Sequence, residues 1–196
     1  MMNLAEIQPV ATSNLPIGDL KDHLRLPDGF PDDTSFDDRL EQSLRAGLAL
    51  VEARTGKALF LRQFAWQIDM WGKGDRLTFP IAPLVSVDVM SMRELDGTAT
   101  SVNLNDFGTI ADIHRPSLQP RSGAFPTLNH GAVVDILFTA GFGANWSDLP
   151  ADLREAVLIL AVDFFDAPTG QPPGMTPAVS VLLQRYQGIS LGRVGV

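Results

Sequence analysis

Residues 132–168 read AVVDILFTAGFGANWSDLPADLREAVLILAVDFFDAP, and their hydrophobic period changes along the stretch from that of a strand to that of a helix. Apolar and polar residues alternate at the start, which predicts a β-strand with one buried face. Pro150 suits the first turn of the following helix, and Pro168 marks its end. Ten of the 13 residues from Leu153 to Phe165 are apolar and surround the helix axis. This helix must therefore be covered on most sides, by its own domain or by a neighbouring subunit.

Two more helices are predicted near the amino terminus. The first lies in residues 15–26, LPIGDLKDHLRL, where apolar residues recur at helical spacing and stop before a proline. The second lies in residues 34–56 and has Thr34 or Ser35 as its N-cap, acidic residues in its first turn and Gly56 as its end. One stripe of leucines predicts the buried face of this second helix.

The segment between the helical regions has the two-residue period of β-strands. The first strand is predicted to bury the side chains of Phe64, Trp66, Ile68 and Met70. In the stretch LVSVDVMSM, Val85, Val87 and Val89 are predicted to point away from the side taken by Ser86 and Asp88. Together with the strand described above, these segments predict a small antiparallel sheet.

Residues 111–131 lack either period and contain Pro116, Pro120 and Pro126. We therefore expect a long exposed loop in this stretch. Long loops in compact domains are often interaction elements, so this loop is a candidate contact surface.

The carboxy-terminal part is predicted to hold one more short helix after the Gly- and Pro-rich linker APTGQPPGM. Thr176 is its predicted N-cap, Pro177 its first residue and Gly188 its end. The last residues, ISLGRVGV, are predicted to form a tail that becomes ordered on binding a partner.

These elements predict an α+β fold in one compact domain. Residues 1–56 form an amino-terminal helical region, residues 57–147 an inserted β region with a long loop, and residues 148–196 the carboxy-terminal helices and tail. The apolar helix faces at the two ends of the chain have no other large partner in the sequence. By elimination, we expect them to pack together as a helical bundle into which the small antiparallel sheet is inserted.

Composition narrows the class of protein. The chain has 196 residues, of which 45% are hydrophobic and 19% charged, as expected of a soluble globular protein. We expect neither a membrane span nor a secretory signal, because the apolar runs are short and the first residues lack a basic start. The absence of cysteine excludes disulfides, zinc knuckles and thiol catalysis. A net charge of −8 disfavours tight nucleic-acid binding through a basic groove.

The sequence contains no complete motif for nucleotide or metal binding. Gly141 and Gly143 follow a predicted strand, but Trp146 stands where a dinucleotide-binding motif has its third glycine. Trp146 is instead expected either to fill the junction between sheet and helix or to anchor an interface. Metal binding needs converging ligands, and the three histidines are widely dispersed at His23, His114 and His130.

Catalytic motifs are equally incomplete. The sequence contains neither a G-x-S-x-G elbow nor an H-E-x-x-H helix. Glu155 and Asp163 flank the apolar helix but lie more than two helical turns apart, so they are expected at a solvated edge or in a salt bridge. We predict no catalytic residue, no cofactor and no metal.

The order of the elements resembles the head-to-tail connector, or adaptor, family of tailed bacteriophages. The resemblance spans residues 15–190 and includes the strings FPIAPLVSVDVMSMRELDG and FTAGFGANWSDLPADLREAVLILAVDFFDAP. Its most specific parts are the turn at residues 139–143 and the helix start at residues 149–156. Within this family the chain is most similar to adaptors of the gene transfer agents of alphaproteobacteria, phage-like particles that package host DNA.

The resemblance implies a structural role in the neck of a virion-like particle that is assembled in the bacterial cytoplasm. Copies would form a dodecameric ring under the portal protein and pass the DNA channel on to a stopper or other tail-side neck protein. DNA would pass without specific binding, no membrane would be involved and no substrate would be turned over.

The same resemblance implies sites for these contacts. The carboxy-terminal helix and tail would dock on the portal through Leu182, Leu183, Tyr186, Ile189, Leu191 and Arg193. The interface with neighbouring subunits or neck proteins is expected to include Trp146, Leu158, Ile159 and Val162. A ring contact of this kind needs two different patches on each subunit, which an apolar helix and a proline-rich loop can provide.

Three other readings stay open at this point. A stopper or tail-terminator protein would be all-β, and the helix predicted at residues 34–56 argues against that class. A small enzyme would place its site in the loop at 111–131 and use His114 or His130 as a base. A free-standing binding domain would stay monomeric at all concentrations.

Overall fold

The computed structural model describes residues 3–24, 36–72, 75–167 and 174–187. The chain divides into two compact units. The strand unit comprises Met1–Ala11 and Ala58–Asp148, and the helical unit comprises Thr12–Lys57 and Leu149–Val196. The predicted α+β class is confirmed, with α-helices in one unit and antiparallel sheet in the other.

The described part of the helical unit contains four α-helices. They are α1 (Ile17–His23), α2 (Asp37–Thr55), α3 (Ala151–Asp166) and α4 (Pro177–Leu183). The predicted ends of two helices are confirmed: Gly56 closes α2 with a positive φ of 65°, and the Thr176 hydroxyl caps α4 by accepting from the Val179 N–H. The N-cap predicted at Thr34 or Ser35 lies outside the described residues.

Helices α2 and α3 pack closely in this unit. The predicted leucine stripe of α2 is buried, and Gly47 lies beside the main chain of α3 at Val157. Arg39 of α2 also reaches the far end of α3, where its guanidinium lies 4.7 Å from the ring centroid of Phe165. The carboxy-terminal helix joins the same unit, with Leu183 fully buried.

The residues described in the strand unit form eight strands in two antiparallel sheets. The five-stranded sheet has the order β1-β2-β8-β4-β5, and the three-stranded sheet has the order β3-β7-β6. In chain order the strands are β1 (Asn3–Glu6), β2 (Arg62–Ile68), β3 (Leu77–Thr78), β4 (Leu84–Arg93), β5 (Ala99–Ser101), β6 (Phe107–Ile110), β7 (Ser117–Pro120) and β8 (Val133–Ala140).

One face of the five-stranded sheet forms the core of the strand unit. Phe64 and Phe138 stack on neighbouring strands at 5.5 Å between ring centroids, and the Phe79 ring lies 5.1 Å from that of Phe138. Trp66 packs against the same cluster. Because alternate residues of β2 and β8 supply these side chains, the residues between them point to the opposite face.

Two sequence predictions for the strands are wrong. Met70 was expected to continue the buried face of β2, but the strand ends at Ile68 and Met70 is 69% exposed. Val85 and Val89 were expected on the buried side of β4 and are 58% and 50% exposed. The cause is a pair of register shifts between β4 and β8, which interrupt the two-residue alternation.

The expected loop at 111–131 is only partly a loop. Ser117–Pro120 forms β7, the central strand of the three-stranded sheet, and both Ser117 and Leu118 are buried. At the other end of the chain, β1 was not predicted at all. Its residues are all exposed, so it has no hydrophobic signature, and it joins the sheet by pairing with β2.

Candidate interaction surface

The five-stranded sheet turns its second face outward. We call this surface the outer sheet face and define it by residues on three adjacent strands: Gln63, Ala65 and Gln67 of β2; Asp135, Leu137 and Thr139 of β8; and Val85, Asp88 and Val89 of β4. An antiparallel sheet with one covered face normally exposes polar side chains on the other. This face departs from that rule, because polar networks flank an apolar centre.

Asp88 owes its position to a bulge in β4. Val87 pairs with Phe138 and Val89 pairs with Leu137, so Asp88 is an extra residue between two consecutive pairs. A bulge of this kind changes the direction of a side chain and is frequent at functional sites. It brings the Asp88 carboxylate onto the outer sheet face.

Three neutral groups hold the Asp88 carboxylate. Gln63 Nε2 donates to it at 2.9 Å, the Thr139 hydroxyl at 2.7 Å and the Ser86 hydroxyl at 2.6 Å. Partial burial by itself would raise the pKa of Asp88, but these three hydrogen bonds together bring that pKa below its ordinary value. No basic side chain of the described residues forms an ion pair with Asp88. The face therefore presents an ionised carboxylate without a cationic partner.

A second hydrogen-bond network lies further along the same face, and its carboxylate forms an ion pair. The Arg93 guanidinium donates two hydrogen bonds to Asp135, at 2.9 and 3.2 Å, and Gln67 donates another at 2.8 Å. The hydrogen bonds from Arg93 are the main reason that the pKa of Asp135 lies below its usual range; burial opposes them and Gln67 supports them. Asp135 therefore differs from Asp88 in having its charge neutralised within the chain.

An apolar strip separates the two networks. Ala65, Leu137 and Val89 lie side by side on neighbouring strands, because Leu137 pairs with both of the others. Val85, which also lies outside the pairing register, adds a second exposed valine near Asp88. Exposed apolar side chains that adjoin hydrogen-bonded polar groups can form the centre of a protein interface, where apolar area is enriched.

The hairpin between β6 and β7 ends in a tip, residues 111–116, which we call the hairpin tip; residues 111–115 are exposed and Pro116 is buried. The Asp112 carboxylate accepts from the main-chain N–H groups of His114 at 2.7 Å and Arg115 at 2.9 Å. These bonds fix the turn locally. The turn presents Ile113, which is 44% exposed, two residues before the exposed Arg115.

The turn that carried the sequence resemblance, residues 139–143, has a structural explanation. Gly141 has a φ of 138°, and a Cβ atom there would overlap the main chain of Phe60. Leu61 donates its N–H to the Gly143 carbonyl at 2.8 Å, so the turn pairs with the segment before β2. The glycines thus permit close main-chain approach within the strand unit.

Trp146 follows this turn and packs inward in part. Its ring stacks on Phe60 at 6.3 Å between centroids, and its side chain is half-buried. This contact favours the first of its two predicted roles, filling the junction after β8. A role of Trp146 at an interface stays a prediction.

The other sequence-predicted contact residues lie in the helical unit. On α3, Leu158 is buried, whereas Ile159 and Val162 are half-buried. In the carboxy-terminal helix, Leu183 and Tyr186 are buried and act as core residues of this unit. Leu182 is half-buried. Ile189, Leu191 and Arg193 lie outside the described residues.

Sequence reasoning missed several candidate interaction residues, in both the helical unit and the strand unit. Val181, next to Leu182 on α4, is 71% exposed and was not singled out. Asp88 was noticed only as a polar residue of a regular strand, because the register shift leaves no mark in the alternation LVSVDVMSM. The hairpin tip was included in the candidate loop, but its turn could have been found from Asp112, since Asp favours such side-chain-to-backbone bonds.

The described residues contain no group of three or more His, Asp or Glu side chains placed to hold a metal ion. His114 lies in the hairpin tip and His130 lies in the turn before β8. Within the same described ranges, no helix combines the length and apolar character needed to cross a membrane.

Comparisons with known proteins place the chain in a family. No protein-family model matches it, and no curated protein matches it significantly. Solved structures do: a chain from the neck of an empty gene transfer agent particle, computed with C6 symmetry, is 35% identical with a TM-score of 0.89. That match covers 97% of this chain and 98% of the other. This chain belongs to the family of gene transfer agent neck proteins.

Two further solved structures are also similar to this chain. A chain from the virion of a native gene transfer agent particle is 35% identical, covers 97% of both chains and has a TM-score of 0.87. A chain from a native neck computed with C12 symmetry is 32% identical with a TM-score of 0.84, covering 97% of the neck protein described here and 98% of the other. The resemblance to this family found in the sequence is confirmed. Such coverage includes both the strand unit and the helical unit.

Proposed function

We propose that this neck protein is the head-to-tail adaptor of a gene transfer agent particle. Twelve copies form a ring between the portal and the next neck protein and continue the DNA channel. The observation that carries the proposal is the match, over 97% of the chain at 35% identity, to a chain from a solved gene transfer agent neck. A structural role in the neck of a phage-like particle follows from that family.

The copy number is inferred from the symmetry of the similar structures. One native neck was computed with C12 symmetry and one empty neck with C6 symmetry. A ring of twelve copies satisfies both, because a twelve-fold ring also contains six-fold symmetry. Closed rings of this kind are built by one repeated heterologous contact.

Portal docking is assigned to the carboxy-terminal end. Val181 is 71% exposed on α4, and Leu182 beside it is half-buried, so this helix offers apolar side chains outside the core. Leu183 and Tyr186 fix α4 in the helical unit from the other side. We infer that the helices from the two ends of the chain act as one bundle, and that the tail with Ile189, Leu191 and Arg193 extends the docking surface.

The charge of the chain suits a DNA channel. A net charge of −8 repels the phosphate backbone, so DNA can slide past without being held. The role requires no catalysis, cofactor or metal. Partners of the ring are the portal, copies of the same chain and a tail-side neck protein such as a stopper.

Two other roles compete with the adaptor. Another neck role, as stopper or tail terminator, would require an all-β chain; α2 and α3 disfavour it. A small enzyme using His114 or His130 would lose its activity when both are changed to alanine, whereas an adaptor carrying the same two changes should still support tailed particles.

The adaptor role is tested by removing the chain from a producing bacterium and restoring it from a plasmid. Without it we expect DNA-containing or empty capsids that lack tails and do not transfer genes. The restored wild-type chain should return tails and transfer. Normally tailed, infective particles in its absence would reject the proposal.

A further inference from the structure

We propose that the repeated contact in the ring joins the outer sheet face of one copy to the hairpin tip of the next, with Asp88 of the first paired to Arg115 of the second. The inference rests on the proposed ring and deepens it by naming the two patches. Both patches belong to the strand unit, so every copy carries one of each.

The outer sheet face has the properties of a receiving site. Three neutral donors hold the Asp88 carboxylate, which is partly buried in the sheet surface. A charge that is oriented in advance by hydrogen bonds loses little freedom when a cation binds it. Val85 and Val89, exposed at 58% and 50%, flank the carboxylate and would exclude water from such a pair.

The hairpin tip has the complementary properties. Arg115 is exposed at its end, and the two hydrogen bonds that the Asp112 carboxylate accepts from main-chain N–H groups fix the turn locally. Ile113 adds an exposed apolar side chain to the same turn. A hydrogen-bonded tip with one apolar and one cationic residue matches a face with two valines and one anion in both charge and character.

A second copy is the occupant that these observations favour. The face carries an anion and therefore repels nucleic acid phosphate. Because tip and face are different patches of the same chain, their contact is heterologous and repeats from copy to copy until a ring closes. An isologous dimer would instead need one self-complementary patch, and two Asp88 carboxylates would repel each other across it.

Charge reversal tests the pairing in assembled particles. Chains carrying Asp88→Lys or Arg115→Glu are supplied to a producing bacterium that lacks the native chain, and tailed particles are counted by electron microscopy. We expect either single change to lower the tailed fraction by about tenfold or more, since like charges then meet at each contact. Both variants supplied together should assemble, because each anionic tip then finds a cationic face and each cationic tip an anionic face.

The double variant in one chain, Asp88→Lys with Arg115→Glu, should likewise restore tails to within about threefold of wild type. Arg121→Glu, an exposed arginine of the same chain segment, and Asp22→Lys, an exposed acid of α1, are the matched charge controls and should have little effect. If Asp88→Lys fails to fold by thermal unfolding, Asp88→Asn replaces it, since the amide can still accept from Gln63 and Thr139.

The outcomes separate the pairing from the adaptor role. Single variants that assemble normally, or single defects that neither mixing nor the double variant corrects, would overturn the contact between copies. With Asp88→Asn in use, the pairing predicts that adding this change to Arg115→Glu makes the Arg115→Glu defect smaller, because like charges no longer meet, and additive defects overturn it. Failure of the wild-type chain to restore tails would reject the adaptor role itself.

Discussion

The Tyr186 hydroxyl donates a 2.7 Å hydrogen bond to the Asp152 carboxylate and so ties the end of the chain's described part to the first turn of α3. Tyr186 itself is buried. Burial, followed by the hydrogen bond to Asp152, raises the pKa of Tyr186 to about 12. The contact holds α4 in the helical unit, where the proposed docking surface begins.

Replacing Tyr186 by phenylalanine should lower the free energy of unfolding by about 1–2 kcal/mol, because the buried hydrogen bond to Asp152 is lost. A phenol whose pKa is higher in the folded than in the unfolded chain stabilises the fold fully below pH 10 and loses this contribution as the pH rises towards 12. Urea unfolding at pH 8 and above should therefore show the variant losing less stability with pH than wild type. Parallel pH profiles would contradict this role of Tyr186.

Gly47 should not tolerate a large side chain. A Cβ atom there would already lie 3.0 Å from the carbonyl oxygen of Val157, so the approach of α2 to α3 depends on glycine. Gly47→Leu is expected to cost about 1–3 kcal/mol in thermal or urea unfolding through overpacking. Gly18→Ala in α1 is the control, since its added carbon meets no atom within 4 Å, and helix propensity should leave it neutral or slightly stabilised. Equal effects at both glycines would contradict the close packing.

Asp135 should contribute to stability in a pH-dependent way. Its pKa is lowered in the fold, chiefly by Arg93, so its contribution is present above the ordinary Asp value and is lost as the pH falls through the folded value. Asp135→Asn is expected to lower stability at pH 7 and to differ less from wild type near pH 3, measured by urea unfolding. A difference that is unchanged between these two pH values would contradict the assignment.

How far the sequence predicts this fold depends on whether an element carries a hydrophobic pattern. The alternation at Phe64, Trp66 and Ile68 predicted a buried strand face, and these side chains are buried. In β4 the same alternation gave a wrong prediction. The pairing of β4 with β8 contains two register shifts, and the period of the sequence does not reveal where they occur. β1 is an edge strand with four exposed residues, so no pattern could reveal it.

The candidate surface was predictable only in part. An exposed loop at 111–131 was expected, because Pro116 and Pro120 disfavour a strand, but Ser117–Pro120 forms the short strand β7 and makes part of the loop a hairpin. The three residues singled out on α4 and the turn after it differ in burial: Leu183 and Tyr186 face the core, whereas Leu182 does so only in part. Which of these side chains are buried depends on how α4 packs in the helical unit, and the sequence of so short a helix does not specify that packing by itself.

Deleting residues 188–196 should separate folding from docking. The contact between Tyr186 and Asp152 lies before the deletion, so the thermal unfolding midpoint should stay close to that of wild type. Binding to the portal should be lost in co-purification, because the apolar tail residues Ile189 and Leu191 are removed. Unchanged co-purification of the truncated chain would reject the docking assignment to the tail.

Copies of this chain are proposed to assemble on a portal. The most direct measurement mixes the purified chain with purified portal from the same particle and images the product by cryo-electron microscopy. We expect an added ring on the portal with twelve-fold symmetry, the symmetry with which one similar neck was computed. Portals that stay bare at saturating concentrations of the folded chain would contradict it.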